Sequence, residues 1–86
     1  MEALERAGIE LGLPAEQAQL LVVQTALVSA KMALESETGP AQLRAQVTSP
    51  GGTTERAVAI LEKNNVAASV EQAVAAAKAR AHELAQ

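Results

Sequence analysis

The sequence predicts an all-α fold of five helices. Three observations carry this. Apolar residues make up 49% of the 86 residues, and alanine is the commonest of them. Alanine with Leu, Glu and Gln favours helix. The valines are scattered among alanines and nowhere alternate with polar residues over a strand length. Gly, Pro and Asn stand at the points where apolar periodicity breaks and restarts.

The first helix is expected from Glu2 to about Leu11. Leu4, Ala7, Gly8 and Leu11 share its inner face, while Glu2, Glu5, Arg6 and Glu10 point away. Gly12 stops it. The second helix is expected from Pro14, taken as its first helical residue, to about Glu35. Glu16 adds negative charge to its first turn. Leu20, Val23, Leu27, Ala30 and Leu34 form one stripe, and Leu21, Val28 and Met32 widen it. A helix apolar almost all round is a buried central helix. A chain of 86 residues has too few other helices to cover it, which points to a partner chain.

Ser36 to Pro40 is a break. Pro40 opens a short third helix to Gln46, with Leu43 and Val47 inward. A fourth helix is expected from about Thr54 to Lys63, packing through Ala57, Val58, Ile60 and Leu61. Asn64 and Asn65 form its stop, since Asn tolerates the left-handed conformation. Ser69-Val70-Glu71-Gln72 fits a capping box that starts the last helix. That helix runs to about Leu84, with Val70, Ala73, Val74, Ala77, Ala81 and Leu84 inward. Lys78, Arg80 and His82 suit the negative end of its dipole. No repeat or linker divides the chain, so residues 1–86 are read as one domain, with a marginal core of its own.

Composition excludes several functions. There is no Cys and one His, His82, so neither a disulfide nor a usual zinc site is expected. No Ser/His/acid triad is expected at so exposed-looking a His. Without Phe, Tyr or Trp there is no stacking platform for nucleic-acid bases. A net charge of −3 argues against a phosphate backbone as ligand. No signal peptide and no apolar run near twenty residues is seen, so the expectation is a soluble, cytoplasmic chain with no membrane partner. Lys31 is expected to snorkel to the surface.

One stretch has chemical content: Ser49-Pro50-Gly51-Gly52-Thr53-Thr54. Two glycines let another molecule approach the backbone. The amides of Gly52, Thr53 and Thr54 then lie at a helix N-terminus, which favours a carboxylate or phosphate. Thr53 or Thr54 adds a hydroxyl donor. The same residues equally make a plain cap and turn. No strand precedes the loop and no Lys follows its glycines, so it is neither a Rossmann fingerprint nor a Walker loop.

Gly12-Leu13-Pro14, Gln24-Thr25, Ala30-Lys31-Met32, Pro40-Ala41-Gln42-Leu43-Arg44 and Val47-Thr48-Ser49-Pro50-Gly51-Gly52-Thr53-Thr54 occur in this order. In order and spacing they resemble the C-terminal domain of pyrroline-5-carboxylate reductase, over essentially the whole chain. The resemblance implies an all-helical domain that dimerises by interlocking with a second copy. In that family the whole enzyme reduces 1-pyrroline-5-carboxylate to L-proline, in proline biosynthesis. The NAD(P)H is held by an N-terminal Rossmann domain that this chain lacks, so no cofactor and no activity are expected for the chain alone.

The resemblance further implies that the loop binds the substrate carboxylate, or a proline-like carboxylate. Thr53 and Thr54 match the amide-donating positions, Thr54 also supplying its hydroxyl. Ser49 and Val47 line the pocket, and Glu37 lies near the substrate nitrogen, while Gly52 joins the site as the amide read at the helix N-terminus. The dimer core is expected at Leu20, Val23, Leu27, Val28, Leu34, Val58, Leu61 and Val74. Three features depart from the family. Ala45 replaces an acidic residue, Asn64-Asn65-Val66 replaces a Gly-Gly-Phe-like stretch, and Glu55-Arg56 stands where the family is apolar or small. The lack of aromatics and Asp suggests a redesigned or reduced-alphabet version. The competing expectations are a part of a working reductase whose cofactor domain is supplied separately, and a designed helical homodimer without ligand.

Overall fold

The computed structural model describes all 86 residues. It has five helices and no strand: α1 (Glu2–Glu10), α2 (Ala15–Glu35), α3 (Pro40–Gln46), α4 (Thr53–Lys63) and α5 (Val66–Leu84). The expected all-α class and helix count are borne out. The chain divides into two units, Met1–Arg44 and Ala45–Gln86.

In the first unit, α1 and α2 meet at a corner built by glycine. Gly12 has φ +112°, a conformation that an L side chain resists. The Leu13 N–H donates to the Gly8 carbonyl at 3.0 Å, and the Gly12 N–H to the Ile9 carbonyl at 3.1 Å. This pair of bonds is the Schellman cap. Gly8 matters for a different reason. A Cβ there would sit 3.3 Å from Leu13 Cδ1 and 3.5 Å from Ala18 Cβ. The missing side chain lets Leu13 and Ala18 close onto α1.

Pro14 is the N-cap of α2 (φ −58°, ψ 145°) rather than its first helical residue. Its carbonyl accepts the Ala18 N–H at 2.9 Å, so the ring presets the entry without costing a helical bond. At the other end, Ser36 is extended. Its Oγ accepts the Thr38 N–H at 3.1 Å and pairs with Thr38 Oγ1 at 2.8 Å. This local serine turn breaks the helical ladder.

In the second unit, α4 passes to α5 through one left-handed residue. Asn65 has φ 57° and ψ 44°. Its N–H donates to the Glu62 carbonyl at 3.1 Å, and Asn64 Nδ2 donates to the Ile60 carbonyl at 3.0 Å. The Asn64-Asn65 stop is therefore as read. The capping box at Ser69 is not the start of α5. The Ser69 N–H already donates to the Asn65 carbonyl at 3.0 Å, inside the first turn of a helix that begins at Val66. A single αL residue ends one helix and caps the next, leaving no loop for the box to close.

Burial differs most from expectation. Ala18, at 1% exposure, is the one buried residue. Leu4, Leu11, Val47, Ile60, Leu61, Val70, Val74 and Leu84 are all exposed, against the inward positions expected for them. Leu43 and Val58 are half-buried. Within one chain α2 is not a buried helix: Leu20, Val23, Leu27 and Val28 are exposed, and Leu34 is 86% exposed. Each of the closest helix pairs, α1 with α2 and α4 with α5, covers one narrow face. The rest of a helix apolar all round then meets no neighbour. Lys31 lies at the surface, as expected.

Candidate functional site

The chemistry-bearing stretch lies between α3 and α4, in the second unit. The Gly52 N–H donates to the Ser49 carbonyl at 3.0 Å, closing a four-residue turn over Ser49-Pro50-Gly51-Gly52. Pro50 occupies the second position and Gly51, with φ +73°, the third. That combination specifies a type II turn. Gly52 has an extended backbone (φ −85°, ψ 177°) and is the N-cap of α4. A Cβ on it would stand 3.1 Å from the Ser49 carbonyl oxygen, so the turn closes this tightly because Gly52 has no side chain.

Thr53, Thr54 and Glu55 are the first three residues of α4. Their amides have no acceptor within the helix, and Gly52 brings no capping side chain. Thr53 is exposed and Thr54 half-buried. The helix begins at Thr53, one residue before the expected start. Neither threonine is then the N-cap, which removes the plain hydroxyl-cap reading for them. Gly52 also changes role: its N–H is committed to Ser49, so the donors left for an anion are the amides of Thr53 and Thr54. Ser49 and Val47 are exposed beside the turn. Glu37 is exposed in the connection between α2 and α3, in the other unit.

One residue was missed. Glu55 Oε1 accepts the Gly51 N–H at 3.2 Å, bridging back over the turn from the third helical position. The signal was present in the sequence. An acid three residues after an N-cap is half of a capping box, and here the N-cap is a glycine without the other half. The contact is exposed and places a carboxylate where the helix dipole favours one.

No group of three or more His, Asp, Glu or Cys side chains is placed to hold a metal ion. No helix is long and apolar enough to cross a membrane. His82 is exposed near the end of α5, 3.0 Å from Gln86. Arg80 pairs with Glu83 at 2.9 Å, both side chains being well exposed. Such a pair contributes little.

Residues 1–84 match the family model for pyrroline-5-carboxylate reductase dimerisation. A pyrroline-5-carboxylate reductase of Pseudomonas aeruginosa is 52% identical over 86 residues, covering 100% of this chain and 32% of that protein. The solved pyrroline-5-carboxylate reductase of Coxiella burnetii superimposes with a TM-score of 0.92 at 52% identity, over 96% of this chain and 31% of that one. The Plasmodium falciparum enzyme, solved with NADP bound, gives a TM-score of 0.85 at 39% identity, over 87% of this chain and 30% of that one. The chain thus spans about a third of the length of the relatives it matches. With the family model matching residues 1–84 and the fold superimposing over 96% of the chain, this chain belongs to the pyrroline-5-carboxylate reductase dimerisation family.

Proposed function

We propose that this chain is a homodimerisation domain, whose partner is a second copy of itself. The observation that carries the reading is the exposure of Leu20, Val23, Leu27 and Leu34 on α2, in a chain whose family is described by dimerisation. Apolar area of that extent on a water-borne protein marks a protein interface. A symmetric pair would bury it from both sides. Leu61, Val58 and Val74, with Val28, join the same core.

In a full-length reductase this segment supplies the substrate carboxylate site. On this reading the amides of Thr53 and Thr54 donate to the carboxylate, Thr54 adds its hydroxyl, Ser49 and Val47 flank them, and Glu37 serves the substrate nitrogen. NAD(P)H is bound outside this segment on this reading, and the Plasmodium falciparum enzyme was solved with NADP bound. The 86-residue chain by itself binds no dinucleotide and carries out no reduction. It works in the cytoplasm.

Solution mass tests the first part: light scattering should give twice 8.8 kDa at micromolar concentration, and a lone 8.8 kDa species removes the reading. Titration with L-proline tests the second. The amide resonances of Thr53 and Thr54 should shift at millimolar ligand, and their silence sinks the carboxylate assignment.

A further inference from the structure

Neither unit of this chain owns a core. The unit Met1–Arg44 buries Ala18 alone, and Ala45–Gln86 buries no residue. Each is near the limit of about 40 residues below which a chain needs disulfides, a metal or association to fold. Cys is absent and no metal cluster is present. Association is the remaining source of a core.

Both units leave apolar side chains open to be covered, Leu20, Val23 and Leu27 in one and Leu61, Val70 and Val74 in the other.

We infer that folding and association are a single step in this protein: the two chains fold onto each other, and no folded monomer is populated. This rests on the homodimer reading above and goes beyond it, since many homodimers dissociate into folded subunits. The pair is then a single thermodynamic unit, and its stability is inseparable from chain concentration.

The test is urea unfolding of the 86-residue chain over a hundredfold range of concentration. Helicity is read by circular dichroism and mass by sedimentation. One transition is expected, with a midpoint that falls on dilution. Each tenfold dilution should cost about 1.4 kcal/mol of apparent stability, and helicity and dimer mass should be lost together. A helical species of 8.8 kDa with a concentration-independent midpoint, appearing below a dimer, overturns the single-step inference and leaves the homodimer reading standing. A chain of 8.8 kDa at every concentration, helical or not, removes both. A particle of more than two chains overturns the pairing.

Discussion

Gly51 and Gly52 are neighbours that need glycine for different reasons. Gly51 must hold φ +73°, and Gly52 must leave room 3.1 Å from the Ser49 carbonyl. Gly51→Ala should therefore cost about 1–2 kcal/mol, the penalty of placing an L side chain in the left-handed region. Gly51→Asn should cost less. Urea midpoints at fixed chain concentration measure both, and an unchanged midpoint for the alanine variant would contradict the type II turn. Thr53 offers a cleaner probe of the ligand. It is the first helical residue, where proline is tolerated, and Gly52 before it is already extended, as a residue preceding proline must be. Thr53→Pro thus deletes one amide donor and keeps the helix start. If the carboxylate reading holds, affinity for L-proline should fall by about tenfold to a hundredfold, the worth of a hydrogen bond to a charged group. Equal titrations for variant and parent would show that this amide is not a donor. The sequence made the loop legible as glycines before a helix. It did not reveal that the Gly52 amide is spent inside the turn, because that depends on how the four residues close on each other.

At the scale of elements, the ends of helices were readable wherever one residue decides them. Gly12 stops α1, Pro40 opens α3 and Asn64-Asn65 ends α4, each by a backbone preference local to that residue. Ser69 misled because a capping box is a side-chain pattern that any helix interior can carry. Whether it caps depends on the residue before it, and the αL geometry of Asn65 had already begun α5. This makes Asn65 the hinge pin of the second unit. Asn65→Ala should cost about 1–2 kcal/mol by forcing an ordinary L residue to φ 57°. Asn65→Gly should be near neutral, since glycine adopts that region freely. Thermal unfolding of the two variants side by side checks the argument. Similar losses in both would mean that the Asn side chain, rather than the backbone angle, holds the corner.

At the scale of the whole molecule, the apolar girth of α2 reports on the assembly rather than on the chain. Hydrophobic periodicity says which residues must leave water, but not which chain covers them. Within this chain, Leu27 is 61% exposed. Two outcomes for Leu27→Lys therefore separate sharply. On the surface of a stable monomer, such a change stays within about 0.5 kcal/mol and improves solubility. In a symmetric interface, each substitution appears twice, and an ammonium without a partner is driven into apolar surroundings. The loss should then be several kcal/mol per pair, enough to dissociate a small dimer. Because neither unit has a core of its own, dissociation should also remove helix. The variant is expected at 8.8 kDa with much of its circular-dichroism signal gone at concentrations where the parent is paired and helical. A Leu27→Lys chain that stays helical with an unchanged midpoint would place Leu27 in water. The interface would then have to be sought on another face of α2.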